Sequence, residues 1–319
     1  MKKVNSKKLI SPILFLVFNR LETTKMVFAE IKKVKPKKLF IAADGYRANI
    51  KGEKEKCEKV KRYVLDNIDW ECDLKTLFRD ENLGCGENVT KAITWFFKNV
   101  GEGIILEDDC LPDQSFFYFC EELLARYRRD KRVFMISGDN FAPESLADAD
   151  SSYFFSNIPC IWGWATWRRA WKKFNFDISD LPECIDNIWS DKKINKYWLI
   201  TISEIHYKKL DAWAYKWVYT IWKNNGVSIS PNRNLVLNIG LNSNGTHTLH
   251  NSNKLLSIPS KVIKFPLKRP RNKNINKQAD DFVNKHVFLK FYTLKSIFKK
   301  IGLFDFVRKV YIKVSNHIN

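Results

Sequence analysis

The sequence predicts a three-layer α/β/α domain built on a mostly parallel sheet. Three observations predict it: apolar runs alternate with helix-like segments from Ile13 to Asp109, the runs are continuous, and several end in polar or acidic residues. A continuous apolar run is what a strand covered on both faces requires. Strands separated by helices are joined by right-handed crossovers, which place the helices on both sides of a parallel sheet.

Taken in order, residues 13–18 (ILFLVF) form the first strand and lead into a helix over 22–33. A second run, 39–43, ends in Asp44-Gly45, and the charged stretch 53–66 reads as a surface helix. Residues 74–78 follow as a strand, 88–97 as a helix, and 103–106 as a strand that runs directly into Glu107-Asp108-Asp109. Lys2, Lys3, Lys7 and Lys8 ahead of the apolar stretch 9–18 imitate a signal peptide, but Asn19-Arg20 follows without a small-residue cleavage site. The stretch is also about half the roughly 20 apolar residues that span a bilayer, so it reads as a buried strand. Past residue 140 the regular alternation is lost. Residues 156–171 (SNIPCIWGWATWRRAW) are dense in Trp and Gly, which suits a substrate-facing half.

A compositional break near residue 261 divides the chain into a catalytic domain, 1–260, and a tail, 261–319. The tail carries 15 Lys and Arg against three Asp, +12 of the chain's +20. Val287, Phe291, Leu294, Phe298 and Ile301 recur at helical spacing with lysines between them. Such a basic amphipathic helix suits an anionic membrane surface, and packing against its own domain accounts for the pattern equally well. The net charge favours a polyanionic partner, yet no nucleic-acid signature is present and no nucleic acid is expected as partner. Seven cysteines without a C-x-x-C pair indicate neither a disulfide framework nor a zinc cluster, which fits a cytoplasmic setting, peripheral at the inner face of the membrane.

In parallel α/β sheets ligands bind beyond the carboxyl ends of the strands. Those ends carry Asn19-Arg20, Asp44 and Glu107-Asp108-Asp109. Hard cations such as Mn2+ and Mg2+ take oxygen ligands, commonly one or two carboxylates plus substrate phosphates, and the triplet suits that role. A solvated acidic surface is its ordinary alternative. Asp44 could read a nucleobase or end a strand in a turn, and Arg20 could fork a diphosphate or lie solvated near a helix start. Asp211 precedes an aromatic helix-like stretch, 213–222, as a general base or as a helix N-cap. His247 lies in a polar loop with His250 three residues on. Trp162, Trp164, Trp167 and Trp171 divide between packing and a platform for sugar faces.

LEDDCLPDQSFFYF, then GWATWRRAW, KLDAWAYKWVYTIWKNNGVSISPNRNLVLNIG and GTHT, together resemble bacterial nucleotide-diphospho-sugar transferases of the GT-A superfamily, and more distantly the N-acetylglucosaminyltransferase I type. The resemblance covers residues 13–248. It implies a GT-A fold and a metal-dependent transfer of a sugar from a nucleotide-diphosphate donor, UDP by preference, to a glycan or lipid-linked acceptor with inversion. It implies that Mn2+ or Mg2+ is held by Asp109 and His247, that Glu107, Asp108, Gly163 and Trp164 contact the nucleotide sugar, and that Asp211 is the base; Asn19, Arg20 and Asp44 are expected at the nucleotide from their places at the strand ends. One departure stands out, since related sequences often carry a second acid where this chain has Ala214. The rival readings are a sugar-phosphate nucleotidyltransferase, whose usual Gly-rich loop after the first strand is replaced here by FNRLETTK, and a non-catalytic basic protein.

Overall fold

A computed structural model of the protein describes residues 8–147, 150–207, 210–240 and 258–290. The first half follows the expected alternation: β1 (Ile13–Val17), α1 (Leu21–Val34), β2 (Lys38–Ala43), α2 (Glu53–Asp66), β3 (Asp73–Phe78), α3 (Cys85–Asn99) and β4 (Glu102–Glu107). A short β5 (Cys110–Pro112) leads to α4 (Gln114–Tyr127), capped by Asp113, whose carboxylate accepts the Ser115 N–H at 2.8 Å. Then come β6 (Val133–Ser137), β7 (Tyr153–Ser156), β8 (Trp164–Trp167), α5 (Arg168–Trp171), α6 (Leu181–Ile188), α7 (Lys192–Tyr207), α8 (Trp213–Lys223), β9 (Val227–Pro231), β10 (Val236–Asn238) and α9 (Lys277–Val283). A π-helical segment, Asn284–Leu289, continues α9.

Eight strands form one mixed, mostly parallel sheet in the order β3-β2-β1-β4-β8-β6-β9-β7, with β8 and β7 antiparallel to their neighbours. The α/β fold expected from the apolar runs is therefore present. β1 shows how its continuous run is used: Ile13, Phe15 and Val17 pack with α1, α2 and α4, while Leu14 and Leu16 face α3, α5 and α8. All five side chains are 5% exposed or less, which is why no polar residue interrupts the run.

Residues 164–167 (WATW) prove to be an inner strand of the sheet. Trp164 points to one helical layer, Ala165 and Trp167 to the other, and the strand sits between β4 and β6. Two large aromatics on opposite faces need helices on both sides of them, and α8 and α4 provide these. A third cluster joins α6, α7, the far side of α8, and α9 around Trp189, Trp198, Tyr219 and Trp222.

The compositional break near residue 261 is not a break in packing. Ile263 and Leu267 are buried in the main core, and Ala279, Val283 and Val287 in the third cluster. Burying each large side chain stabilises by about 2 kcal/mol, so residues 258–290 are an integral part of the domain. Of the expected amphipathic helix, Val287 lies inside this packed region and Phe291, Leu294, Phe298 and Ile301 lie outside the described residues. Among the described residues no helix is long and apolar enough to cross a membrane.

Asp280 of α9 is 2% exposed and accepts from Ser156 Oγ at 2.5 Å and from the Asn157 N–H at 2.8 Å. Burial pushes its carboxyl up to about 7, against these two hydrogen bonds. A carboxyl whose folded pKa is raised keeps a proton that the unfolded chain has released, so its contribution to stability falls as pH rises between its unfolded value and about 7. Asp280→Asn stays neutral, keeps one acceptor and can donate to Ser156 Oγ. Its melting temperature relative to the native chain should rise as pH is raised from about 4 to about 8. A difference that does not change with pH in thermal denaturation would contradict the buried carboxyl.

Candidate active site

The strand order reverses between β1 and β4, which pair in parallel, so their carboxyl ends lie side by side at one edge of the sheet. At that point Arg20, the residue before α1, extends its guanidinium as a fork to Asp108 and Asp109, reaching Asp109 Oδ2 at 2.9 Å. Its own carbonyl accepts the Thr24 N–H at 3.0 Å, which anchors it to the first turn of α1. Asp108 is further held by the Phe18 N–H at 3.2 Å. Both Asp108 oxygens are therefore used inside the protein. Asp109 retains 16% side-chain exposure against 3% for Asp108, and so is the carboxylate with room for a ligand.

The electrostatics are those of an acidic cluster under one cation. Burial pushes the Asp108 carboxyl up to about 6, with Arg20 opposing and Asp109 adding to the rise. Glu107, the last residue of β4 and paired in register with Leu16, is also raised, by burial and then by Asp109 and Asp108. Burial works against the charge on Arg20, but the two aspartates overcome it and raise its pKa. One guanidinium thus leaves the cluster with surplus carboxylate. Hard-oxygen donors with excess negative charge fit a divalent cation. Among the described residues no three His, Cys, Asp or Glu side chains converge tightly enough to hold one alone. His247 and His250 lie outside the described residues.

Asp211 reaches the same edge from a different element. Its Oδ1 accepts the N–H of Gly86 in the first turn of α3, a helix without a side-chain cap of its own. Asp211 therefore caps α3 across the fold, and the N-cap position of its own helix α8 is Ala212. Asp211 is exposed, and its carboxylate lies close against the turn at 84–86. A Cβ on Gly86 would overlap Asp211 Oδ1, so a larger residue there would displace this carboxylate. Cys85, exposed at the surface of this turn, has its thiol pushed up to about 12 by the surrounding protein and then by Glu107 and Asp211, with Arg20 opposing and Asp109 adding. Asp211, Glu107, Asp109 and Arg20 therefore share one neighbourhood.

Other expected contacts are differently placed. Asp44 Oδ1 accepts from Gly45 N and Leu83 N, both at 3.0 Å, and Oδ2 from Asn82 Nδ2 at 3.0 Å and Gly84 N at 3.1 Å. With four internal donors, Asp44 shapes the turn that presents Asp211's partner glycine. Asn19 donates its amide to Glu53 Oε1 at 2.9 Å. Gly163 lies at φ +63, and a Cβ there would come within 2.9 Å of Val236 Cγ2. Trp164, expected at the nucleotide sugar, is corrected to a core residue. It is 1% exposed, stacked on Trp213 at 5.9 Å and packed against Trp217, because β8 lies inside the sheet. Its ring holds the start of α8, two residues after Asp211. Of the four clustered tryptophans only Trp162 keeps partial exposure, edge-on to Phe141 at 5.1 Å.

Sequence reasoning misses Glu53, Arg47 and Asp139. Glu53, 2% exposed, accepts the Arg47 N–H at 2.7 Å and its guanidinium as well as Asn19, tying the β1 and β2 loops together. Asp139, 1% exposed, accepts the Trp162 N–H at 3.2 Å, and burial pushes its carboxyl well up. Neither Arg47–Glu53 nor Asp139–Trp162 follows a recognised spacing, so nothing in the sequence marks them.

No protein-family profile and no curated protein matches the chain. Among solved structures, HddC from Yersinia pseudotuberculosis overlaps it at 12% identity and a TM-score of 0.28, over 41% of this chain and 59% of that one. The 4-diphosphocytidyl-2C-methyl-D-erythritol synthase from Anaerococcus prevotii DSM 20548 overlaps it at 9% identity and a TM-score of 0.33, over 55% of this chain and 83% of that one. The chain spans about three fifths of HddC's length. Overlaps this slight carry no argument about activity.

The shared contact between Gly86 and Asp211 can be measured. Asp211→Ala removes a helix cap and should cost about 1 kcal/mol of stability. Gly86→Ala should cost at least as much, and the double variant less than the sum, because both remove one contact. Additive losses in denaturant titrations would show that Asp211 does not cap α3.

Proposed function

We propose that the protein is a glycosyltransferase that takes a sugar from a nucleotide-diphosphate donor, with UDP the expected nucleotide. The observation that supports this most is the convergence of Glu107, Asp108 and Asp109 with Arg20 at the point where the strand order reverses, within reach of Asp211. A donor along this edge would lie against the loops that Asn19 and Asp44 hold on the nucleotide side and the turn at Gly163 on the sugar side. Asp109 would hold Mn2+ or Mg2+, with His247 the second ligand implied by the family resemblance. Lewis-acid stabilisation of the departing diphosphate is what such a bound ion supplies.

Asp108 in this reading is a positioning residue. It fixes Arg20, and Arg20 fixes Asp109. Asp211 takes the proton of an acceptor hydroxyl as that oxygen attacks the anomeric carbon from the face opposite the diphosphate, so the configuration inverts. Held by Gly86 through one oxygen, it has the other to use. Trp162 replaces Trp164 as the aromatic surface for the acceptor, a glycan or a lipid-linked saccharide at the inner face of the cytoplasmic membrane.

A sugar-phosphate nucleotidyltransferase would use the same edge. The name of the second partial neighbour agrees with it, although a TM-score of 0.33 gives that no weight. The products separate the two: a glycosyltransferase releases nucleoside diphosphate, a nucleotidyltransferase releases pyrophosphate. A panel of nucleotide sugars with Mn2+ should yield nucleoside diphosphate.

Asp109→Ala should abolish metal-dependent binding of a nucleoside diphosphate while leaving the fold intact. Unchanged affinity in Mn2+ by calorimetry would rule out this ligand. Asp211→Asn preserves an acceptor for Gly86 and removes proton acceptance, so turnover should drop by roughly a hundredfold or more with donor binding kept. Near-normal turnover would place the base elsewhere.

A further inference from the structure

Residues 261–269 (KVIKFPLKR) form a strap that touches α4 at Ser115 and Tyr118. Two buried side chains, Ile263 and Leu267, anchor it in the main core. Backbone bonds fix it further: Lys261 N to the Asn234 carbonyl at 2.7 Å, Ile263 N to Ser115 Oγ at 3.0 Å, and Lys268 N to Ser152 Oγ at 2.9 Å. What the strap shows to solvent is therefore held in place.

It displays exposed apolar side chains beside exposed cations. Val262 is 60% exposed and Phe265 is 37% exposed, with Phe265 edge-on to Tyr118 of α4 at 6.5 Å. Ile10, 56% exposed, lies one helical turn along, its N–H bonded to Glu121 Oε2 at 2.6 Å. Between and beside them stand exposed Lys264, Lys268 and Arg269, with exposed Lys8 preceding Ile10. Other basic residues here are paired, Lys261 with Glu144 at 2.8 Å and Lys273 with Asp130 at 2.7 Å. Among the described residues Lys264, Lys268 and Arg269 have no carboxylate partner.

We propose that this strap is a docking surface for an anionic lipid bilayer, with Val262 and Phe265 entering the headgroup layer and Lys264, Lys268 and Arg269 meeting lipid phosphates. Unpaired cations on a chain of +20 supply the charge complementarity. The exposed aliphatic and aromatic side chains decide between polyanions, because Val262 and Ile10 gain nothing against a phosphodiester backbone and gain burial in a bilayer interface. The surface differs from the amphipathic helix expected beyond residue 287, and it stands whether or not the catalytic reading holds.

The test uses the full chain with vesicles of phosphatidylcholine alone or with roughly one third phosphatidylglycerol. The protein should sediment with the anionic vesicles only, and salt should release it as the charges are screened. In the intact chain, Lys264→Glu/Lys268→Glu and, separately, Val262→Ser/Phe265→Ser should each lower the partition coefficient, the first by at least about tenfold. Both leave Ile263 and Leu267 in place, and an unchanged melting curve establishes that each variant is folded. Native-like vesicle binding by both variants would overturn the proposal and place any lipid contact in other residues. So would a charge-reversal effect on heparin or RNA retention with no effect of Val262→Ser/Phe265→Ser on vesicles, the behaviour of a nucleic-acid surface.

Discussion

The fork from Arg20 to Asp108 and Asp109 is the constraint around which this edge of the protein is arranged. Three consecutive acidic residues at the end of a buried strand would repel one another in a medium that screens poorly. A single guanidinium, fixed by the first turn of α1, bridges two of them and so joins the end of β1 to the end of β4. Removing either side would leave a buried charge uncompensated, which costs more than the pair itself contributes. The compensation is also incomplete: Glu107 and Asp108 both hold their protons more tightly than free carboxyls do. An edge in that condition accepts a cation more readily than it accepts further acid.

Around this fork the other parts act as supports. Asp44 spends both oxygens on the turn at 82–84, that turn opens α3, and the first turn of α3 receives Asp211. Trp164 packs beneath Trp213 from the interior, so the start of α8, and with it Asp211, is set by the core. Glu53 gathers Arg47 and Asn19 and ties the loops after β1 and β2 together. Residues expected to touch substrate thus serve in several cases to hold those that would.

The segment after residue 258 follows the same logic at lower charge density. Among its described residues the apolar side chains are divided between core anchors and exposed positions, and the deeply buried carboxylate of Asp280 ties α9 to the loop after β7. Composition registers the abundance of lysine there. It does not register that every few residues one side chain is turned inward.

By itself the sequence determined the first half of the fold and which polar residues gather at one edge of the sheet. Continuous apolar runs suit strands covered on both faces, and the carboxyl ends of parallel strands lie along one edge, so the pattern alone gathers Arg20, Asp44 and the acidic triplet there. Local pattern could not say that WATW is an inner strand, since a four-residue apolar segment has no period long enough to distinguish it. Nor could it say which oxygens are spent on backbone donors, as those of Asp44 are, or that a carboxylate 125 residues away would cap α3. These are pairings across long sequence separations, set by how the helical layers pack. Only the tertiary structure could decide that Trp164 is wall and Trp162 is surface, because burial belongs to the assembled layers and not to the residue type.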